Sequence, residues 1–76
     1  MEQHHPNVER RVGEMSREPK DARRVAVQTA RVDYGVAYLL SKDAQNLRIA
    51  TYDHRNKSWV VWIIPIRRIV QCRYLD

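Results

Sequence analysis

The sequence predicts a mainly β protein: a small five-strand barrel or a twisted antiparallel sheet, preceded by an N-terminal helix or a disordered tail. Three observations carry this. Val25, Val27 and Thr29 alternate with their neighbours, and Val32, Tyr34, Val36 and Tyr38 alternate in the other phase. Such runs of β-branched and aromatic residues at period 2 suit a pleated strand. Further on, Leu47, Ile49 and Thr51 alternate against Arg48, Ala50 and Tyr52, a polar stretch follows over 53–58, and residues 59–64 are apolar without interruption. That is the pattern of a β-hairpin. Finally, all six aromatic residues lie beyond residue 24, so the folding unit is expected over 25–76, with 1–24 a polar tail.

The elements follow in chain order. In the tail, Val8, Val12 and Met15 stand at i, i+4 and i+7 behind Asn7, a capping residue type, which predicts a short helix. Gly13 and Pro19 keep it short. Over 25–38 strands are preferred, because β-branched residues are dense and Gly35 interrupts any long helix. A helix over 19–32 is the alternative, since Ala22, Val25, Ala26, Thr29 and Ala30 fit its spacing behind Pro19. Asp33-Tyr34-Gly35 is expected to be a bend or bulge where the phase changes. The run 59–64 has no solvated face, so it is a central strand or one covered by another subunit. Trp59 and Trp62 have opposite parity and cannot both face one core, which offers one of them to an interface. Pro65 has no N–H for the ladder. Beyond it, residues 66–74 fit a strand through Ile66, Val70, Cys72 and Tyr74, and equally a helix through Ile66, Ile69, Val70 and Arg73.

Composition excludes several classes. At 76 residues and a net charge of +5, the chain holds one small domain. It buries only about 60% of its unfolded surface, so association with further copies is expected. The longest apolar run is the six residues 59–64, far below the roughly 20 that span a bilayer, and no membrane is expected as a partner. The N-terminus has no apolar signal core, which makes the expected location cytoplasmic. A single cysteine, Cys72, excludes an internal disulfide and any CxxC site, and it is expected to be a small buried hydrophobe. His4, His5 and His54 match no closed metal site. With no phosphate-cradling glycine loop and no paired carboxylate or nucleophile arrangement, the expectation is a non-enzyme without metal or cofactor.

The charge is informative because eleven of the fourteen basic residues are Arg, the side chain that grips phosphate bidentately and stacks on bases. Beyond residue 24 these arginines are interleaved with aromatics, and the pI is about 9.9. This combination points to RNA or another nucleic acid as partner. The candidate contacts are Arg48, Tyr52, Arg55, Lys57, Arg67 and Arg68. Trp59, Trp62 and Tyr74 are candidates for a partner interface. The pairs Arg10-Arg11 and Arg23-Arg24 are diluted by Glu9, Glu14, Glu18 and Asp21, which argues against a dedicated basic arm. The ordinary alternative has the aromatics as core and the arginines as a solvated rim. A second functional expectation is a small inhibitor or adaptor that docks on a larger protein through a sheet edge and exposed aromatics.

At Val61-Trp-Ile-Ile-Pro-Ile-Arg-Arg-Ile-Val70 the chain resembles the closing segment of Sm-like (Hfq-like) barrels, in which a long strand, a one-turn corner and a short final strand follow one another. Ile64, Ile69 and Val70 fall in register, Arg67-Arg68 stands for the family's polar pair, and Pro65-Ile66 replaces its Arg-Gly. Gly35 and Ser41-Lys42-Asp43 resemble the bent second strand and the Asp before the third. Asn46 stands one position ahead of the family's RNA-contacting Asn, and the stretch from Gly35 to Asp43 is about two residues longer. The resemblance covers about residues 25–74 and is shared with small barrels of SH3 type. It implies a ring-forming homo-oligomer that binds RNA, with an N-terminal helix on one face.

Overall fold

Residues 8–75 are described by the computed structural model, and they contain no α-helix. Six strands, β1 (Arg10–Met15), β2 (Arg23–Thr29), β3 (Asp33–Lys42), β4 (Asn46–Asp53), β5 (Ser58–Pro65) and β6 (Ile69–Tyr74), follow one another. They form one open antiparallel sheet in the order β1-β5-β4-β3-β2-β6. Strands β2 to β5 are a meander. A single 3-10 turn at Ile66–Arg68 then redirects the chain, so that β6 lies against β2.

The predicted hairpin forms in full: Leu47 to Asp53 pairs without a register shift against Ile64 to Ser58. The strands preferred from Val25 onwards also form, and the helix alternative over 19–32 does not. Residues 66–74, where periodicity was even-handed, divide into the 3-10 turn and β6. The N-terminal helix needs correction, because Arg10–Met15 is a strand paired to β5. Isolated helices shorter than about 12 residues are marginal in water, whereas the outer edge of β5 offers a row of backbone hydrogen-bond partners. The pairing shifts register between Arg11 and Gly13, leaving Val12 as the extra residue. Asn7, its expected cap, lies outside the described residues.

Period 2 assigns the two faces. Val25 and Val27 on β2, Ala37 on β3, Leu47 and Ile49 on β4 and Ile64 on β5 form the core, with Tyr34, Leu39, Trp62, Ile66 and Ile69 packed against it. Complete burial of side chains such as Ile49 and Ile64 stabilises the fold by about 1.5–3 kcal/mol each. No second layer covers this face among the described residues, so the sheet must curl over it. The Glu9 carboxylate reports the curl, for it accepts a hydrogen bond from the Thr29 hydroxyl at 3.3 Å although β1 and β2 stand four places apart in the sheet.

A bulge at the start of β3 decides where its tyrosines go. Val27 pairs with Gly35 and Gln28 with Asp33, so Tyr34 is the extra residue. Gly35 supplies the required positive φ of 65°, a backbone region open to Gly at no steric penalty. Its N–H donates to the Asp33 carboxylate at 2.9 Å. Without the bulge, Tyr34, Val36 and Tyr38 would share one face. With it, Tyr34 joins the core and Tyr38 lies on the opposite side. Cys72 corrects a second expectation: it is exposed, because β6 ends the sheet and only its first residue, Ile69, packs against the core.

Candidate nucleic-acid interface

The face of the sheet opposite the core is built around two small side chains. Ala50 on β4 lies directly across from Val61 on β5 and from Tyr38 on β3, and both Ala50 and Val61 are buried. Aromatic rings surround them. Trp59 lies across from Tyr52, with ring centroids 5.0 Å apart. Tyr38 meets Trp59 edge to face at 5.3 Å, and Tyr52 meets His54 at 4.8 Å. The result is a continuous aromatic strip, Tyr38–Trp59–Tyr52–His54, running across three strands to the tip of the hairpin. Tyr52 is its most open sheet member, 40% exposed. At the other end the Tyr38 hydroxyl donates to the Glu18 carboxylate, which anchors the β1–β2 connection beside the strip.

Cations surround it. Arg48 shares the face with Tyr52, four residues along β4, and lies opposite Ile63. Arg24 pairs with Tyr38 and Arg10 with Ile63, so both stand on the same side. Arg55 and Lys57 occupy the turn after Asp53. That turn is held by the Asp53 carboxylate, which accepts from the backbone N–H of Arg55 at 2.9 Å and from the Asn56 side chain at 3.0 Å. Partial desolvation works against ionisation of Asp53, but these hydrogen bonds prevail and its carboxyl titrates below the usual range.

The predicted residues are therefore divided. Arg48, Tyr52, Trp59, Arg55 and Lys57 come together on this face and its hairpin tip. Arg67 and Arg68 lie beyond the other end of β5, in the 3-10 turn, a strand length of roughly 25 Å from Lys57 at 3.3 Å per residue. Trp62 lies on the core face, its indole N–H donating to the Thr51 hydroxyl at 3.1 Å and its ring edge-on to Tyr34 at 5.6 Å. The opposite placement of the two tryptophans follows from their parity. Tyr74 sits on edge strand β6 with the Arg23 guanidinium 3.9 Å over its ring, an intramolecular cation–π contact. Sequence reasoning missed Tyr38 as a member of the strip, and Arg10 and Arg24 as cations on the same face. The alternation of 32–38 contained Tyr38, but only the bulge separates it from Tyr34. His4 and His5 lie outside the described residues, and no metal-holding group of His, Cys, Asp or Glu occurs among those described. No helix among them is long and apolar enough to cross a membrane.

Comparison with known proteins adds no relative: no family model, no curated protein and no solved structure matches the chain.

Proposed function

We propose that this protein is a non-catalytic RNA-binding module, a small barrel of SH3/Sm-like type that grips single-stranded RNA on the face opposite its core. The observation that carries the reading is the aromatic strip with arginines around it. Ring faces stack bases of any sequence, while guanidinium groups take the phosphates. The meander, the one-turn corner and the return of β6 to β2 support the barrel type. Arg48, Arg55 and Lys57 contact phosphate, Tyr52 and Trp59 stack, and Arg67-Arg68 extends the path for a longer strand. Further copies of the chain join through the outer edges of β1 and β6, which have no neighbour among the described residues.

The test is fluorescence anisotropy of a labelled single-stranded RNA at low and moderate salt. Affinity should fall steeply as salt rises, because phosphate contacts release counterions. Tyr52→Ala should weaken binding by about 1–3 kcal/mol, the value of one stacked base. Absence of binding at about 50 mM salt, where phosphate contacts are strong, removes the reading. A second reading, docking of a larger protein on a sheet edge, rests on β6, where Val70 is 63% and Tyr74 48% exposed. It predicts a nuclease-insensitive complex that is lost in Val70→Lys.

A further inference from the structure

On the core side of the sheet lies an open cleft of about 500 Å³ lined by Glu9, Arg31, Asp33, Tyr34, Tyr52 and Trp62 among others. We propose that this cleft is a guanine-selective base pocket, a reading that rests on RNA as the ligand of the opposite face. Tyr52 lines the cleft as well as the strip, but Tyr34 and Trp62 lie on the core face, so a strand stacked along the strip must pass from one face of the sheet to the other to place a base there.

The chemistry of the lining selects the base. Trp62 and Tyr34 supply aromatic walls. The only hydrogen donor of the Trp62 ring is spent on Thr51, so the ring offers its apolar surface. Glu9 is the key polar group. One of its oxygens accepts from Thr29, and the other is buried with no partner among the described residues. A carboxylate only accepts, with about four lone-pair sites on its two oxygens, so donors on a ligand would complete its hydrogen bonding. The Tyr34 hydroxyl is held above its usual pKa, first by burial and then by the Glu9 charge, which places that charge beside the aromatic wall.

Among the four bases, only guanine carries two adjacent donors on its pairing edge, N1–H and N2–H, and these match a carboxylate. Adenine and cytosine set one amino group beside a ring acceptor, and uracil sets one N–H between two carbonyls, so each brings an acceptor against Glu9. A simple organic cation would also meet the carboxylate, and Asp33 on the same cleft offsets the charge of Arg31. The Asp33 carboxylate is engaged by the Gly35 N–H, and the net charge of +5 opposes a cation over the whole chain, while Arg31 offers a partner for a nucleotide phosphate at the rim.

The experiment has two arms on the full chain. In the first, GMP, AMP, CMP and UMP are titrated while the Trp62 indole N–H is followed by NMR. GMP should bind at least about tenfold more tightly than the others, within the discrimination of one bidentate base contact. Glu9→Gln should erase that preference while leaving the melting temperature within a few degrees. Equal binding of the four nucleotides overturns the inference, as does a Trp62 response to tetramethylammonium but not to GMP. In the second arm, a guanine-free and a guanine-containing oligonucleotide are compared at low salt. If both bind equally and Glu9→Gln affects neither, the base pocket falls and RNA binding stands. If neither binds, the RNA reading itself falls, and the first arm alone decides the cleft.

Discussion

Ile49 is fully buried and lies opposite Leu39 on one side and Trp62 on the other, on the centre strand of the core cluster. Ile49→Ala should destabilise the protein by about 2–5 kcal/mol, seen as a lower denaturant midpoint at unchanged slope. In so small a domain that is a large share of the total. Thr51→Val is milder and more diagnostic. It keeps the shape but strips the acceptor from the Trp62 indole, at about 1–3 kcal/mol, and the indole N–H resonance should shift. Two aspartates make the fold acid-sensitive. The Asp43 carboxylate accepts from the backbone N–H groups of Gln45 and Asn46 at 2.7 and 2.8 Å, and these bonds hold its carboxyl below the usual range, as the turn at Asp53 does for its own. A depressed folded-state pKa gives stability that is complete above the unfolded value of about 3.9 and lost as pH falls through the lower folded value. Melting temperature should therefore drop as acid is added below about pH 4, and less so in Asp43→Asn, which keeps the acceptor without the titration.

Among the elements, the β4–β5 hairpin and the bulged start of β3 do most to shape the site. Lys57 ends the hairpin turn with a positive φ of 54°, a conformation that disfavours a non-glycine residue by about 1–2 kcal/mol. Lys57→Gly should raise the melting temperature by about 4–8 °C while weakening RNA binding, because it removes a cation from the tip of the strip. Stability and affinity moving in opposite directions would mark the turn as serving the ligand; a loss of both would contradict that role. Gly35→Ala has room for its Cβ but not the right φ. It should destabilise the bulge and disturb Tyr34 and Tyr38 together, readable in both ring environments. The hairpin was legible in the sequence because both its strands and its turn are local. The strand at 10–15 was not. Its residues carry no period-2 signal, and it exists because β5, far along the chain, has an edge to pair.

For the whole molecule the charge and the edges matter most. A strip ringed by arginines on a chain of net charge +5 should show a salt slope that becomes shallower by about one unit when Arg48 is replaced by Ala. Both edge strands are short and largely exposed, so joining of copies should appear as a sedimentation coefficient that rises with protein concentration. A concentration-independent monomer would remove the homo-oligomer.

By itself, the sequence determined the hairpin and its turn and the opposite facing of Trp59 and Trp62, and it favoured strands over 25–38 while leaving 66–74 open between strand and helix. All of these follow from side-chain alternation within a few residues. Only the tertiary structure decided that the tail adds a strand to β5, that Tyr38 joins Trp59 while Tyr34 joins Trp62, and that Glu9 reaches Thr29 across the curl. It also separated Arg67-Arg68 from the aromatic strip that the composition had grouped with them. These are contacts between residues distant in the chain, set by strand pairing, bulges and curvature, and no local period encodes them.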